Sequence, residues 1–496
     1  MLGLGVSAWR RGGGAGGGTS AAAAKLADET NGFAAVFSDA TDAQRIAVKT
    51  AGVVVSSGLD AFYQNGGIGP KIVWGPSALL EWTPHNLFLN SGTPATQSVT
   101  TIVGAPYTVT VTGSGSLTGS AGASGVATAG APLIFVATTT SSTFTLGGSL
   151  TTMQMNIGRV ATAYLPTTAA RRFGLAIDHD PTLGRTLLME AAITNICLWS
   201  SDLTDATWVK SNMNTALTAT GPMGNANSAT TITATAANAT ALQSITNASS
   251  LKITSVYLKR RTGSGNVDIT QDNGTTWATQ AITSSWARYV IAEATVLNPI
   301  VGIRLVTSGD AVDVAFWQCE VSTVARAVTS PYPTFSVTQA RQADNYTFLL
   351  STIPALGAEY SVYVRFASPT TTNTMAPVAL TDGTANEQSK LIITAGSLRL
   401  SVIDGGSALG TIVGSSIVAN TLMSAAARIK VNDCALSCNG GAVGADTTVP
   451  TLPTLTETRY GGAGANAAAA NIMRLTELVI VPRAWSDVEL PLKSAA

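Results

Sequence analysis

The chain has 496 residues, of which 11% are charged, and 28 Lys plus Arg balance 28 Asp plus Glu. A neutral chain lacks the electrostatic footprint of a nucleic-acid or anionic-membrane binder, so neither partner is expected. Mean hydropathy is +0.27, yet no uninterrupted apolar stretch reaches the ~20 residues that cross a bilayer as a helix. A secretory leader is not expected, because Arg10 and Arg11 follow the N-terminal apolar run instead of preceding it.

Residues 1–30 are low-complexity, and every residue from Gly12 to Gly18 is Gly or Ala. Such a segment cannot bury enough surface to fold alone, so it reads as an arm that orders on docking. Residues 31–85 read as short strands separated by turn residues: GFAAVFSD, RIAVKTAGVVV, KIVWG, ALLEW. From Asn86 the rhythm lengthens into near-alternating runs such as QSVTTIV, YTVTVTG and STFTLGG, broken by Gly, Ser or Pro. That is the pattern of a sandwich or jelly roll. It resumes at Asn195 (SATTITATA, ITSVYLKR, DVAFWQC) and again near Tyr346 (YSVYVRFAS, LRLSVIDG, TELVIVPRAW). Helices are few, with one closing turn expected over Ser486–Lys493. The predicted class is all-β, as tandem antiparallel β-sandwich or jelly-roll modules with an extended N-terminal arm.

An internal repeat carries more information than any one motif. Leu79-Leu80-Glu81, Asn86, Leu89 and Ser91 reappear as Leu188-Met189-Glu190, Asn195, Leu198 and Ser200 at a constant offset of 109 residues. The two modules also end alike, with VATAYLPTTAARR at 160–172 and VARAVTSPYPTFSVTQAR at 324–341.

The segment RTLLMEAAITNICLWSSDLTDATW (185–208), with DHDP upstream at 178–181, resembles segments of tailed-bacteriophage structural proteins. SVYLKR (255–260), SSWARYV (284–290) and VAFWQCEVSTVARAVTSPYPT (314–334) are similar to the later strands of the carbohydrate-binding-like jelly roll in that family. Residues 346–490 look like a concanavalin A-like sandwich of laminin-G type, on YSVYVRF (360–366), LTDGTANEQSKLII (380–393), SCNGGAV (437–443) and LVIVPRAWSDVEL (478–490). The resemblance covers roughly residues 70–490 as loose motifs in fixed order. It implies a virion subunit of fibre, spike or head-decoration type, often a homotrimer. On it the chain divides into a Gly/Ala-rich anchoring arm (1–30), a particle-docking region (31–85) and a short jelly roll (86–172). A linker (173–194), a carbohydrate-binding-like jelly roll (195–342) and a concanavalin A-like sandwich (343–496) follow. The start of the first jelly roll lacks the usual acidic pair and Trp, which implies a spacer with no binding face.

Catalysis has little to work with. There are two histidines, His85 and His179, too few for a range of His-based triads. His179, between Asp178 and Asp180, reads as linker packing before metal binding. No HExxH, GxSxG or GxxxxGK[ST] is present. The acidic residues of the third block show no paired arrangement of the kind glycoside hydrolysis needs. The chain is therefore expected not to be an enzyme and to need no cofactor. Calcium stays open at the loops carrying Asp382 and Asp404, where Asp-Gly is also the ordinary hairpin signal.

Sugar binding needs exposed aromatic faces with polar neighbours, and the candidates are Trp208, Trp277, Tyr257 and Tyr289. Trp277 follows Asp272-Asn273-Gly274 and is expected at a hairpin tip, whereas Trp317 lies in a core-like alternating strand. Cys434 and Cys438 are four apart on a strand, roughly 13 Å at ~3.3 Å per residue, and cannot bridge. Cys197 and Cys319 fall on the first and last strands of one module, where contact is plausible. All four are expected as free buried thiols.

The expectation is a bacteriophage structural subunit, a tail or head fibre or spike, that projects its modules for attachment to host-surface polysaccharide. The alternatives are a decoration or cementing protein with no host ligand and, behind it, a polysaccharide depolymerase. Expected partners are other virion proteins through the N-terminal arm and further copies of the chain in a trimer. The expected location is the virion, assembled in the host cytoplasm, with the C-terminal module displayed distally.

Overall fold

The computed structural model describes residues 25–29, 32–37, 46–50, 53–55, 63–64, 71–74, 79–169, 172–173, 176–322, 327–344, 346–352, 355–371, 374–462 and 471–495. Most of the expected N-terminal arm lies outside them. The regular structure of the described residues is almost wholly antiparallel β, with one short α-helix at Glu489–Ser494 where a closing turn is expected. It forms two units. One takes the described parts of 1–68, 176–192 and 342–496, and the other those of 69–175 and 193–341.

In the first unit, Met473–Val481 is the central strand of a ten-stranded sheet. Every residue of it except Arg474 is buried, as a strand covered on both faces requires. One edge pairs along its length with Glu359–Ala367. The other is shared by two segments distant in sequence. Gly184–Met189 takes its first half (Met189↔Met473), and Gly32–Val36 its second (Phe33↔Ile480). A seven-stranded sheet, which includes Met375–Thr381, Gln388–Thr394, Ser397–Asp404 and Tyr346–Leu349, is the other sheet of this unit. Leu26, Ala34, Val36, Tyr363, Val479 and Trp485 share one buried cluster.

This redraws the expected boundaries. Strands from 31–64 extend the sheets of the C-terminal sandwich instead of forming a region of their own, and Ile177–Asp180 with Gly184–Met189 is a sheet hairpin, not a linker. Its acidic residues are used structurally, since Arg474 pairs with Asp178 (2.9 Å) and Asp180 (3.4 Å). Arg185 Nε donates to His179 at 3.4 Å.

The second unit holds two sandwiches. The first packs a four-stranded sheet (Gly125–Thr128, Ser116–Ser120, Ser141–Gly147, Gln97–Thr100) against a three-stranded one (Leu133–Val136, Pro106–Gly113, Leu150–Ile157). Alternating Tyr107, Val109, Leu117, Phe135 and Phe144 fill the space between. The second packs a seven-stranded sheet, with Ala311–Ser322 and Ser250–Thr262, over a five-stranded one. Its core holds Trp208, Trp317, Ile232, Val256, Ile269 and Ile303. Cys197, Cys319, Cys434 and Cys438 are all free and buried.

Candidate ligand-binding site

The sequence repeat marks one buried polar lock, built twice. Asn86 Nδ2 donates to the carbonyls of Met153 (3.1 Å) and Leu165 (3.0 Å), and its Oδ1 accepts from the amides of Phe88 (3.1 Å) and Met155 (3.2 Å). Asn195 repeats this with Trp317 (3.0 Å) and Tyr332 (2.9 Å) as acceptors and Cys197 and Cys319 (both 3.1 Å) as donors. The amides of Thr167 and Thr334 donate to Ser91 Oγ (2.9 Å) and Ser200 Oγ (3.0 Å). Gln154 and Gln318 accept from the amides of Leu165 (2.8 Å) and Tyr332 (2.6 Å). Each Asn satisfies four backbone groups that burial would otherwise leave unpaired. Each thereby ties the start, last strand and closing tail of its sandwich together.

Within this shared frame, Asn90 and Trp199 are equivalent. Both have left-handed backbone, with φ of 48° and 46°, and their amides donate to Thr168 O (2.8 Å) and Phe335 O (2.9 Å). Asn tolerates that region and a bulky aromatic residue does not, which makes Trp199 a strained position. Phe316 is a second such aromatic, with φ of 52° at a bulge of Ala311–Ser322. Its amide donates to Ser201 Oγ at 3.0 Å.

Trp199 and Phe316 line the same cavity of about 140 Å³, where the two sandwiches of this unit meet. Trp82, Phe335, Pro106 and Pro333 are among its other apolar lining residues, and Arg159, Asp202, Asn225 and Asn227 are among its polar ones. The two indoles are half-buried and each rests on a left-handed glycine. A Cβ on Gly104 (φ 87°) would lie 2.7 Å from Trp199 Cη2, and one on Gly158 (φ 109°) 2.7 Å from Trp82 Cδ1. Only glycine permits both the backbone and the contact. The Arg159, Asn225 and Asn227 side chains have no partner among the described residues. Asp202 accepts from the Thr204 amide (3.0 Å) and hydroxyl (2.5 Å).

His85 braces the wall from behind. It is fully buried, its ring lies edge-on to Trp82 at 6.1 Å, and its Nε2 accepts from the Ile157 amide at 2.8 Å. That leaves Nδ1 to donate to Thr83 O at 2.8 Å and fixes the neutral tautomer. Burial lowers its pKa to about 4, against the opposing effect of the Thr83 bond.

The residues singled out from the sequence fall elsewhere. Trp208 and Tyr257 are buried, at 1% and 2% exposure, and present no face to a ligand. They are apolar plugs on inward positions: Trp208 packs against Trp317 at 5.6 Å, and Tyr257 edge-on to Phe316 at 6.0 Å. Both still serve the cleft from beneath, since Trp208 Nε1 donates to the Trp199 carbonyl at 3.3 Å. Trp277 is half-buried beside the expected turn, but Arg304 covers its ring at 4.5 Å and Gly274 abuts it. Tyr289 packs on the module core and donates from its hydroxyl to Ala281 O at 3.2 Å. Asp382 Oδ1 accepts from the amide and hydroxyl of Thr384 (both 2.7 Å), and Asp404 Oδ2 from the Thr451 hydroxyl. Among the described residues no three His, Cys, Asp or Glu side chains are grouped to hold a metal ion. The sequence signal for Trp199 was the repeat itself, which sets a Trp opposite an Asn.

No protein-family model matches the sequence, and no curated protein matches it. Among solved structures, the carbohydrate-binding module of a Ruminococcus gnavus sialidase, bound to α2,3-sialyllactose, matches 28% of this chain and 83% of its own. Identity is 15% and the TM-score 0.25. The NanB sialidase of Streptococcus pneumoniae matches over 29% of this chain and 25% of its own length (14% identity, TM-score 0.25). Mouse laminin α1 domains LG4-5 match over 52% and 93% (11% identity, TM-score 0.20). These are likenesses between β-sandwiches, and they carry no argument about ligand or role.

Proposed function

We propose that the chain is a non-enzymatic, glycan-binding structural protein whose sugar site is the aromatic cleft of the second unit. The observation that carries this is the pair of half-buried indoles, Trp82 and Trp199, set beside the Arg159, Asn225 and Asn227 side chains, which have no partner among the described residues. Sugars have an apolar ring face and a rim of hydroxyls. Trp supplies a flat apolar surface at low entropic cost, while Arg159, Asn225, Asn227 and Asp202 supply donors and acceptors. Asp202 is the single carboxylate among the lining residues. Hydrolysis of a glycosidic bond uses two, so the lining suits binding better than cleavage.

We place this activity on a bacteriophage particle, as a fibre or spike subunit, on the motif order of residues 185–208 and 314–334. Residues 33–36 pair with 477–480 in one sheet, and Leu26 and Glu29 are buried in the same sandwich, so an anchoring arm within residues 1–24 would lead directly into it. In this reading the inserted second unit, not the C-terminal sandwich, carries the attachment site. Several copies, a trimer being favoured, would turn weak sugar contacts into firm attachment to host polysaccharide. The reading requires no cofactor. The cementing alternative draws on the exposed apolar residues Val413, Val418, Val488 and Leu492 of the first unit, which suit burial against neighbouring subunits.

The test is retention of the purified full chain on a printed array of bacterial surface polysaccharides, with Trp82→Ala alongside. Retention by the wild type, weakened at least tenfold in Trp82→Ala, is expected. No retention by the wild type would turn the assignment to the cementing role.

A further inference from the structure

We infer that Trp199 is the specificity-determining residue of the cleft, substituted into a backbone position that its twin sandwich fills with Asn, and that the first sandwich is a working wall of the site. This rests on the glycan reading above and says how that site arose.

The duplicated lock fixes the backbone at both positions. The two sandwiches share the four bonds of the Asn and the Ser and Gln bonds to the closing tail around residues 86–91 and 195–200. The backbone at 90 and 199 is therefore set by the same hydrogen bonds, and it is left-handed in both. A position built to be left-handed suits Asn and Gly. Asn90 meets that demand and is exposed. Trp199 does not, yet the frame holds it there from two sides: its amide donates to Phe335 O, and its carbonyl accepts from Trp208 Nε1. Strain of this kind persists where the surroundings over-determine it, and it clusters where a side chain has work to do.

The ring then meets the first sandwich. Gly104 stands where any side chain would strike the indole. Gly158 makes the same allowance for Trp82. Each indole is thus gauged by a glycine of the first sandwich.

Three variants of the full chain test this: Trp199→Asn, Trp199→Ala and Gly104→Ala. All three should lose retention on the same polysaccharide array by at least tenfold, the last because its new methyl displaces the ring. Asn and Ala remove the same indole, but only Asn suits the backbone. Trp199→Asn should therefore unfold about 2–4 °C above Trp199→Ala. Wild-type retention that survives in Trp199→Asn overturns the inference and leaves the glycan reading standing. Equal unfolding temperatures for Asn and Ala overturn the claim that the position was built for Asn. A wild type that retains nothing removes the glycan reading, while the Asn–Ala comparison still reports on the backbone.

Discussion

The two units hold their distant segments together by opposite means. In the first, the seam between the N-terminal segment and the C-terminal end is ionic. Glu29, 1% exposed at its side chain, takes two bonds from Arg483 (2.6 and 2.9 Å) and one from Trp485 Nε1 (3.0 Å), with Lys493 at 3.6 Å. Lys25 pairs with Glu477 at 2.6 Å in the same region. In the second unit, each sandwich is closed by a neutral amide, Asn86 or Asn195. An amide offers two donors and an acceptor oxygen with two lone pairs, so it satisfies four backbone groups without desolvating a charge. The ionic seam tolerates remodelling at its exposed rim, since Arg483 is 37% exposed. The amide lock has no rim and no substitute. The first arrangement suits segments brought together across the whole chain, and the second suits a module copied intact.

The largest effect should therefore come from the lock. Asn195→Ala strands two amides and two carbonyls in the core and should cost about 4–5 kcal/mol, enough to unfold the second sandwich selectively. Denaturant unfolding followed by hydrogen exchange would show protection lost over 195–341 and kept over 355–495. Loss spread evenly over both units would show that the lock is not local. At the ionic seam, Glu29→Gln keeps an acceptor for Trp485 but leaves Lys493 without its buried counter-charge and Arg483 with Glu489 alone. The expected cost is about 3–4 kcal/mol, moderated because Arg483 reaches solvent. It should appear as loss of protection at 32–36 and 473–481, with the second unit unchanged.

Much of this architecture was legible in the sequence, because period-2 alternation and Gly/Pro punctuation are local signals. The lock was half legible. Asn86, Ser91, Asn195 and Ser200 stand out at one offset, although their side-chain partners beyond the neighbouring Phe88 and Cys197 amides lie 67 to 137 residues away. Two things were hidden. Pairing of Phe33 with Ile480, or Met189 with Met473, leaves no trace near either residue, so strands read as flanking segments belong to the C-terminal sandwich. The cleft was hidden for another reason. Trp208 and Tyr257 have the composition of a sugar platform but inward positions. Trp199 occupies a conformation that residue preference alone would never assign to Trp. Alignment of the two repeats, position by position, recovers it as the Trp facing Asn90.

The smallest predicted effect separates the two closures by acid alone. His85 is neutral when folded, with its pKa near 4, whereas an unfolded chain takes up that proton near 6.5. Between those values the unfolded state binds the proton and the folded state does not. The second unit should hold its full stability above pH 6.5 and lose up to about 3 kcal/mol as pH falls to 4, with no further loss from this group below. Protonation also removes the acceptor for the Ile157 amide, next to the glycine that gauges Trp82, so the cleft should loosen over the same window. The first unit answers later. Burial would raise the Glu489 pKa, but bonds from Arg483 and the Ser486 amide, together with the Arg483 charge, hold it at about 2. Its contribution is intact above pH 4.5 and fades as pH drops toward 2. Calorimetry at pH 7, 5.5 and 4.5 should show one transition moving down while the other stays. Transitions that move together over this range would mean that a group other than His85 sets the acid response of the second unit.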